Sequence, residues 1–313
     1  KYFNDLIKKQ YPIPNNFFWR IFKKHVVFFD INLEKESNIL NKNYTFKEDF
    51  FEEGTFKKYN SKLNPKERNY LLEGIKVYYK NGQIVQEEEG IFKNIIRRKV
   101  NFDRCYLIKG KHKYYENGQI DEVKEGIFKE NKLNRDYQLG GKGKIYLPDC
   151  RKEGIFKDGE LNGKGAIYYT NDQIKKQGTF KDGFLFGKGI TYFENGKVDD
   201  EGIFEDGILI KGIEYYNDKN HTIDSEGIFK YNEFLNEYDL AEGKLYEDGV
   251  VVEEGFFTTG SPYYKEDSTL FKGTKYHKNG EIEEGLFVHE FLIEGTKYNK
   301  NGEIKEVVNL KNN

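Results

Sequence analysis

The sequence predicts an all-β protein: an elongated, single-layer antiparallel sheet of about nine stacked β-hairpins, with a short, partly helical N-terminal cap. Three observations carry this. A Gly-aromatic phrase recurs nine times, a Tyr-led phrase follows each copy, and Asn-Gly or Asp-Gly dipeptides stand between alternating apolar stretches. Self-similarity at a period of a few tens of residues marks a repeat architecture, in which one unit cannot bury its apolar face alone.

The first phrase reads EGTFK at 53–57, EGIFK at 89–93, 125–129 and 153–157, QGTFK at 177–181 and EGIFE at 201–205. It continues as EGIFK at 226–230, EGFFT at 254–258 and EGLFV at 284–288. Successive glycines, from Gly54 to Gly285, are 36, 36, 28, 24, 24, 25, 28 and 30 residues apart. Strand alternation puts Gly and Phe on one face and Ile with Lys on the other. The bare backbone at each glycine leaves room for a neighbouring ring. Phe56, Phe92, Phe128, Phe156, Phe180, Phe204, Phe229, Phe257 and Phe287 are therefore expected to stack as one ladder.

The second phrase is KVYYKNGQI at 76–84, HKYYENGQI at 112–120, AIYYTNDQI at 166–174, ITYFENGKV at 190–198 and TKYHKNGEI at 274–282. Its leading tyrosines, Tyr78, Tyr114, Tyr146, Tyr168, Tyr192, Tyr215, Tyr246, Tyr276 and Tyr298, are expected to form a second ladder. Asn-Gly between apolar runs predicts a type I′ hairpin turn, which needs positive φ at both central residues. FKDG at 156–159 and 180–183 and FEDG at 204–207 supply the other turn of each unit.

Taken together, these phrases resemble the MORN repeat. EGIFKDGELNGKGAIYYTND (153–172) and QGTFKDGFLFGKGITYFENG (177–196) are similar to its unit nearly throughout, and the likeness runs over residues 53–305. The resemblance implies elongated, twisted arrays of hairpins that often dimerise. It also implies settings in cytoskeletal and ciliary assemblies, at membrane junctions, or as an accessory domain of a larger enzyme. A cytoplasmic, cytoskeleton- or cilium-associated protein is the corresponding expectation. The sequence departs from the family where some repeats lengthen, as at NIIRRKVNFDRCYLIKG (94–110).

Three regions follow: an N-terminal cap or extension over 1–50, the repeat array over 51–305, and a tail over 306–313. In the cap, Phe18, Trp19, Phe22, Val26 and Phe29 fall at helical spacings, and a helix covering the first hairpin's rings is expected. The alternative is a docking helix. Trp19, Arg20, Phe22, Lys23 and Lys24 combine rings and cations as an anionic membrane surface or a partner would require. The chain begins at Lys1 and contains no Met, which reads as processing or as a piece of something longer.

Composition excludes several classes. A formal net charge of -2 gives no global attraction to nucleic acid. Cys105 and Cys150 are too few for a disulfide framework. The histidines (His25, His112, His221, His277, His289) share no metal-ligand spacing, and His112, two residues before Tyr114, is placed on the strand surface. NGKG (162–165) and FGKG (186–189) lack the spacing of a phosphate loop and read as strand starts. The acidic runs at 87–89 and 199–201 read as surface cross-strand pairs, and Arg97, Arg98, Lys99 and Arg104 as a solvated loop. A one-layer sheet is expected to offer little depth for shifting a pKa.

No catalytic residue, cofactor or metal is therefore expected. The predicted function is a non-catalytic protein-binding scaffold, with other proteins or a second copy as partners. The second rings of the tandem aromatic pairs, Tyr79, Tyr115, Tyr169, Phe193 and Tyr216, are the expected contact positions; their plainer reading is sheet packing. Unpaired terminal strands make at least weak dimerisation expected. The competing functions are a membrane-associated organiser using the N-terminal segment and an accessory domain of a larger enzyme.

Overall fold

The computed structural model describes residues 17–22, 25–30, 39–47, 50–61, 64–80, 83–95, 104–130, 137–232, 237–258, 269–288 and 290–310. Side chains are described within 52–55, 71–80, 83–93, 105–130, 137–232, 238–258, 269–288 and 290–310. Every α-helix or β-strand among the described residues is a strand. The chain forms two compact units, Lys1–Glu160 and Leu161–Asn313.

The first unit contains β1 (Phe17–Phe22), β2 (His25–Asp30), β3 (Ile39–Lys47), β4 (Phe50–Ser61), β5 (Asn64–Lys80), β6 (Gln83–Ile95), β7 (Arg104–Glu116), β8 (Gln119–Glu130), β9 (Tyr137–Tyr146) and β10 (Arg151–Lys157). Each pairs antiparallel with the next, an open meander. The helical cap expected within residues 1–50, with Trp19, Arg20, Phe22, Lys23 and Lys24, lies outside the residues whose side chains are described; only the backbone of β1, β2 and β3 is traced there.

The second unit contains β11 (Glu160–Tyr168), β12 (Ile174–Lys181), β13 (Phe184–Tyr192), β14 (Val198–Glu205), β15 (Ile208–Tyr215), β16 (Ile223–Asn232), β17 (Glu237–Glu247), β18 (Val250–Thr258), β19 (Thr269–Tyr276), β20 (Ile282–Val288), β21 (Phe291–Tyr298) and β22 (Ile304–Asn309). These too form an open antiparallel meander.

Register is set by glycine. In the first unit Gly54 faces Gly74, Gly74 faces Gly90, Gly90 faces Gly110 and Gly110 faces Gly126, and so on to Gly154. The second unit repeats the pattern from the Gly165–Gly178 pair to the Gly285–Gly295 pair. A Cβ on Gly110 would overlap the Glu89 carbonyl oxygen and lie 2.8 Å from Gly90 Cα. Backbones therefore approach closely along a row that runs from β4 to β10 in the first unit and from β11 to β21 in the second. This corrects the expectation that the glycines serve mainly to seat rings: their first neighbour is the facing backbone.

The core lies on one face beside this row. Phe92, Phe128, Phe156, Phe180, Phe204, Phe229, Phe257 and Phe287 are all buried, while Ile91, Ile127 and Ile155 next to them are exposed, as alternation demands. Within each unit a Phe faces a leucine across its hairpin, as in Phe92 with Leu107, Phe180 with Leu185, Phe204 with Leu209 and Phe287 with Leu292. Leu71, Leu107, Leu139, Leu161, Leu185, Leu209, Leu240, Leu270 and Leu292 are buried as completely as the rings. The ladder is thus built of Phe–Leu pairs, with leucine methyls standing over the glycines, as Leu209 does over Gly202. Each fully buried side chain of this size contributes about 1.5–3 kcal/mol.

A bulge brings each Leu opposite its Phe. Leu107 pairs with Phe92 and Lys109 with Ile91, so Ile108 is the extra residue. Where one further residue intervenes, as between Leu185 and Gly189, a glycine is needed in the left-handed region: Gly187 has φ +75°. FGKG is therefore a bulge within β13.

The Asp-Gly turns are as expected. Asp182 and Gly183 have φ +49° and +91°, the two positive values of a type I′ turn. The Asn-Gly turns divide. Asn117–Gly118 is a two-residue loop with both φ positive. At 193–197 and 277–281 only the glycine is positive, and a longer loop closes by Phe193 N–H to Lys197 O and His277 N–H to Glu281 O, each 2.9 Å. The expectation of type I′ there is corrected. The tyrosine follows its glycine by three residues in these repeats and by four at Tyr78 and Tyr114, so a two-residue turn would break the register. Asn195 and Asn279 instead accept from the backbone two residues on, at 3.0 and 2.9 Å.

Candidate functional site

Two residues beyond each second-strand glycine, the side chain returns to the face that carries Phe and Leu. In the first unit this puts polar groups inside. Glu52, Lys76, Glu88, His112 and Lys124 follow one another across β4 to β8 as directly facing partners. Lys76 Nζ lies 3.0 Å from Glu52 Oε1, donates to the Cys105 carbonyl at 3.2 Å and sits 5.2 Å from the Phe92 ring centre. Glu88 accepts from the Tyr78 hydroxyl at 3.0 Å and from Gln86 Nε2 at 3.4 Å.

His112 is 7 % exposed, which corrects its placement on the strand surface: it stands two residues after Gly110 and so shares the inward face. Its Nδ1 meets the Tyr114 hydroxyl at 3.3 Å, and its ring stacks on Tyr114 with centroids 4.2 Å apart. Nε2 is buried without a hydrogen-bond partner, and Glu88 Oε1 is 4.0 Å away. Burial, helped by the Lys124 charge, pulls the imidazole down to about 4, so it is neutral at pH 7. Burial likewise raises Glu88, against the opposing pull of Lys76. The expectation that such a sheet offers little depth for shifting a pKa is therefore corrected; burial of His112 and Glu88 beside the Phe–Leu row supplies the desolvation.

Around this row opens a cleft of about 550 Å³, lined among others by Gln86, Glu88, Tyr106, His112, Tyr114, Glu122, Lys124, Tyr137, Lys152 and Glu160. Tyr106 and Tyr137 stack at 4.5 Å with their planes 18° apart. Both lysines are engaged: Lys124 with Glu122 at 2.7 Å and the Tyr114 ring at 4.9 Å, Lys152 with Glu160 at 3.7 Å. The volume falls in the range of small-molecule sites, about 300–1,000 Å³. Among the described residues no group of three or more His, Cys, Asp or Glu is arranged to hold a metal ion.

In the second unit the corresponding row is acidic where β14 meets β15 and alternates Glu with Lys from Glu253 through Lys275 and Glu283 to Lys297. Asp200 faces Glu214, and Glu214 faces Ser225. Thr191 Oγ1 donates to Asp200 at 2.9 Å and Ser225 Oγ to Glu214 at 2.8 Å. Burial first, then Asp200, Asp224 and Asp199, lift Glu214 from its ordinary 4.5 to about 7. The runs at 87–89 and 199–201 are thus not merely surface pairs, since Glu88 and Asp200 point inward. Because folding tightens the proton on Glu214, its contribution is whole below pH 4.5 and is lost as pH rises through 7. Glu214→Gln is expected to stabilise the second unit by about 2 kcal/mol at pH 8 and by nothing at pH 4. Thermal melts at the two pH values check this; an equal gain at both would refute the assignment. His112 carries the opposite sign, its stability present above pH 6.5 and lost as pH falls towards 4.

The contact residues expected from the sequence do not converge on this cleft. Tyr79 and Tyr115 stand near the ends of β5 and β7, half-buried, with the Tyr115 hydroxyl donating to Glu87 at 3.3 Å. Tyr169, Phe193 and Tyr216 each occupy the first position beyond a strand of the second unit. The Tyr169 hydroxyl donates to the Tyr192 carbonyl at 2.8 Å, so this ring packs onto the next hairpin. Phe193 is half-buried, and Tyr216 is exposed. Sequence reasoning missed Gln86, Glu88, Tyr106 and Tyr137. For Glu88 the signal was present, two residues before Gly90; Tyr106 and Tyr137 flank lengthened connections whose path no periodicity fixes. No protein-family model matches the chain, and no curated protein matches it.

Proposed function

We propose that the chain is a non-catalytic protein-binding scaffold of the MORN kind, acting in the cytoplasm within a cytoskeletal or ciliary-type assembly. The observation that carries this reading is the outer face of the second unit. Phe184, Phe256, Phe271 and Phe291 are 58, 49, 47 and 75 % exposed there, although Phe and Leu already fill the inner face. Large rings left in water on a face that folding does not need are what a binding surface requires. The repeat phrases and the antiparallel hairpins of both units support the MORN resemblance.

The test is capture from the native cell by wild type and by a Phe256→Ser/Phe271→Ser double variant. The variant is expected to keep its thermal midpoint within a few degrees, since exposed positions contribute within about 0.5 kcal/mol each, and to lose the retained proteins. Retention of the same proteins by both would refute the outer face as the contact.

A further inference from the structure

Among the described residues Asn-Gly occurs five times, at 117–118, 162–163, 195–196, 279–280 and 301–302. The pair has an intrinsic chemistry, because glycine puts no side chain in the way when its backbone nitrogen attacks the asparagine amide carbon. Two things oppose the attack: hydrogen bonds that hold the amide, and a hydrogen bond that occupies the glycine N–H. Asn195 has both. Its Oδ1 accepts from Lys197 N–H at 3.0 Å, its Nδ2 donates to Asn217 Oδ1 at 2.7 Å, and Gly196 N–H donates to the Phe193 carbonyl at 2.9 Å. Asn279 is tied likewise, to Glu281 N–H at 2.9 Å and Glu281 Oε2 at 3.2 Å, with Gly280 N–H on the His277 carbonyl at 2.9 Å. Asn162 Nδ2 donates to Asp182 Oδ1 at 2.9 Å from inside β11, and Gly302 N–H donates to the Asn299 carbonyl at 2.9 Å.

Asn117 differs. Its exposed amide and Gly118 N–H have no hydrogen-bond partner among the described residues. The type I′ turn explains this: closure runs between Glu116 and Gln119, so the central peptide is left to solvent. Nor does anything pack on the tip. A Cβ on Gly118 would meet nothing within 4 Å, whereas one on Gly196 would overlap Gln173 Oε1 and one on Gly280 would lie 3.3 Å from Lys300 Cβ. To bring Gly118 N to Cγ, the Asn117 Cα–C bond must turn out of its left-handed conformation, φ +52°, and only the Glu116–Gln119 closure resists. We propose that Asn117 is a self-modifying site, its side chain converted by water to aspartate and isoaspartate ahead of the other described Asn-Gly pairs. Gly118 N, its proton passed to a base in solvent, bonds to Cγ; the Cγ–Nδ2 bond breaks, and ammonia leaves with a proton from solvent. Water then opens the five-membered imide at either carbonyl. One water enters, one ammonia departs, and nothing is oxidised or reduced. The isoaspartate product adds one carbon to the main chain at the tip, while the Gly110–Gly126 pair keeps β7 and β8 in register.

The experiment holds the full chain at mildly alkaline pH, natively folded and in parallel in urea, and follows each Asn-Gly site over time by peptide mapping and mass spectrometry. In the native chain Asn117 is expected to convert at least about tenfold faster than Asn162, Asn195 or Asn279, since each hydrogen bond that must break adds to their barrier. Asn301, with Gly302 N–H engaged, is expected in between. In urea these ties are gone, and the five rates are expected to converge. Gly118→Ala, which places a methyl group beside the attacking nitrogen, is expected to slow conversion at Asn117 and to leave Asn301 as it was. Another described site leading in the native chain, equal native rates, the same Asn117 lead kept in urea, or undiminished conversion in folded Gly118→Ala would each overturn the proposal.

Discussion

Gly110→Ala is expected to destroy the cooperative fold of the first unit. Gly110 has φ +148°, a conformation that costs an L side chain about 1–3 kcal/mol before any contact is considered. The new Cβ would then occupy the space of the Glu89 carbonyl oxygen, itself paired in the ladder, and press on Gly90 Cα at 2.8 Å. Neither neighbour is a flexible side chain, so relief requires the strands to separate where their register is set. A loss above about 4 kcal/mol is expected, a large part of the 5–15 kcal/mol that holds a typical domain. Gly118→Ala is the control. Gly118 also has positive φ, +80°, but a Cβ there meets nothing within 4 Å, so only about 1 kcal/mol should be lost. Urea unfolding followed by circular dichroism distinguishes them; equal midpoints for the two variants would refute the close-approach account.

Phe180→Ala should cost the second unit about 3–5 kcal/mol. The ring is 2 % exposed and faces Leu185, itself 1 % exposed, so its removal leaves a cavity between two strands that glycines hold together. The strands cannot close inward to fill it, because the glycine backbones are already in contact. Phe184→Ala, four residues on but 58 % exposed, should change stability by less than about 0.5 kcal/mol. Comparable losses for both would mean that burial at Phe180 is not what anchors the hairpin.

The contrast between Phe180 and Phe184 also marks what the sequence makes legible. EGIF alternation suffices to assign the buried phenylalanines, and Asp-Gly suffices for the turn at Asp182–Gly183, because both rest on local geometry. The leucines were as regular, three or four residues before each second-strand glycine, but their flanks vary, as in YLLEG, YLIKG and DLAEG, so no phrase exposes them. At 193–197 the turn differs because one fewer residue separates Gly189 from Asn195 than separates Gly110 from Asn117, a parity visible only once the glycine pairs are known. His112 follows the same rule. Two residues past a glycine of the row means inward, a statement about register that a single strand cannot make. Tyr106 and Tyr137 meet across β8, and that juxtaposition belongs to the three-strand sheet alone.

The facing glycines have a consequence for how such a chain can change length. From β4 to β10 and from β11 to β21 every joint within a unit sets glycine backbone against glycine backbone, and joints with a Phe–Leu pair beside the glycines alternate with joints without one. Duplicating or excising a whole hairpin therefore restores an equivalent seam, whereas adding a single residue inside a strand misaligns the seam on both sides. Growth in whole modules is cheap and growth by single residues is confined to the hairpin tips, which is where the lengthened connections between β6 and β7 and between β18 and β19 occur.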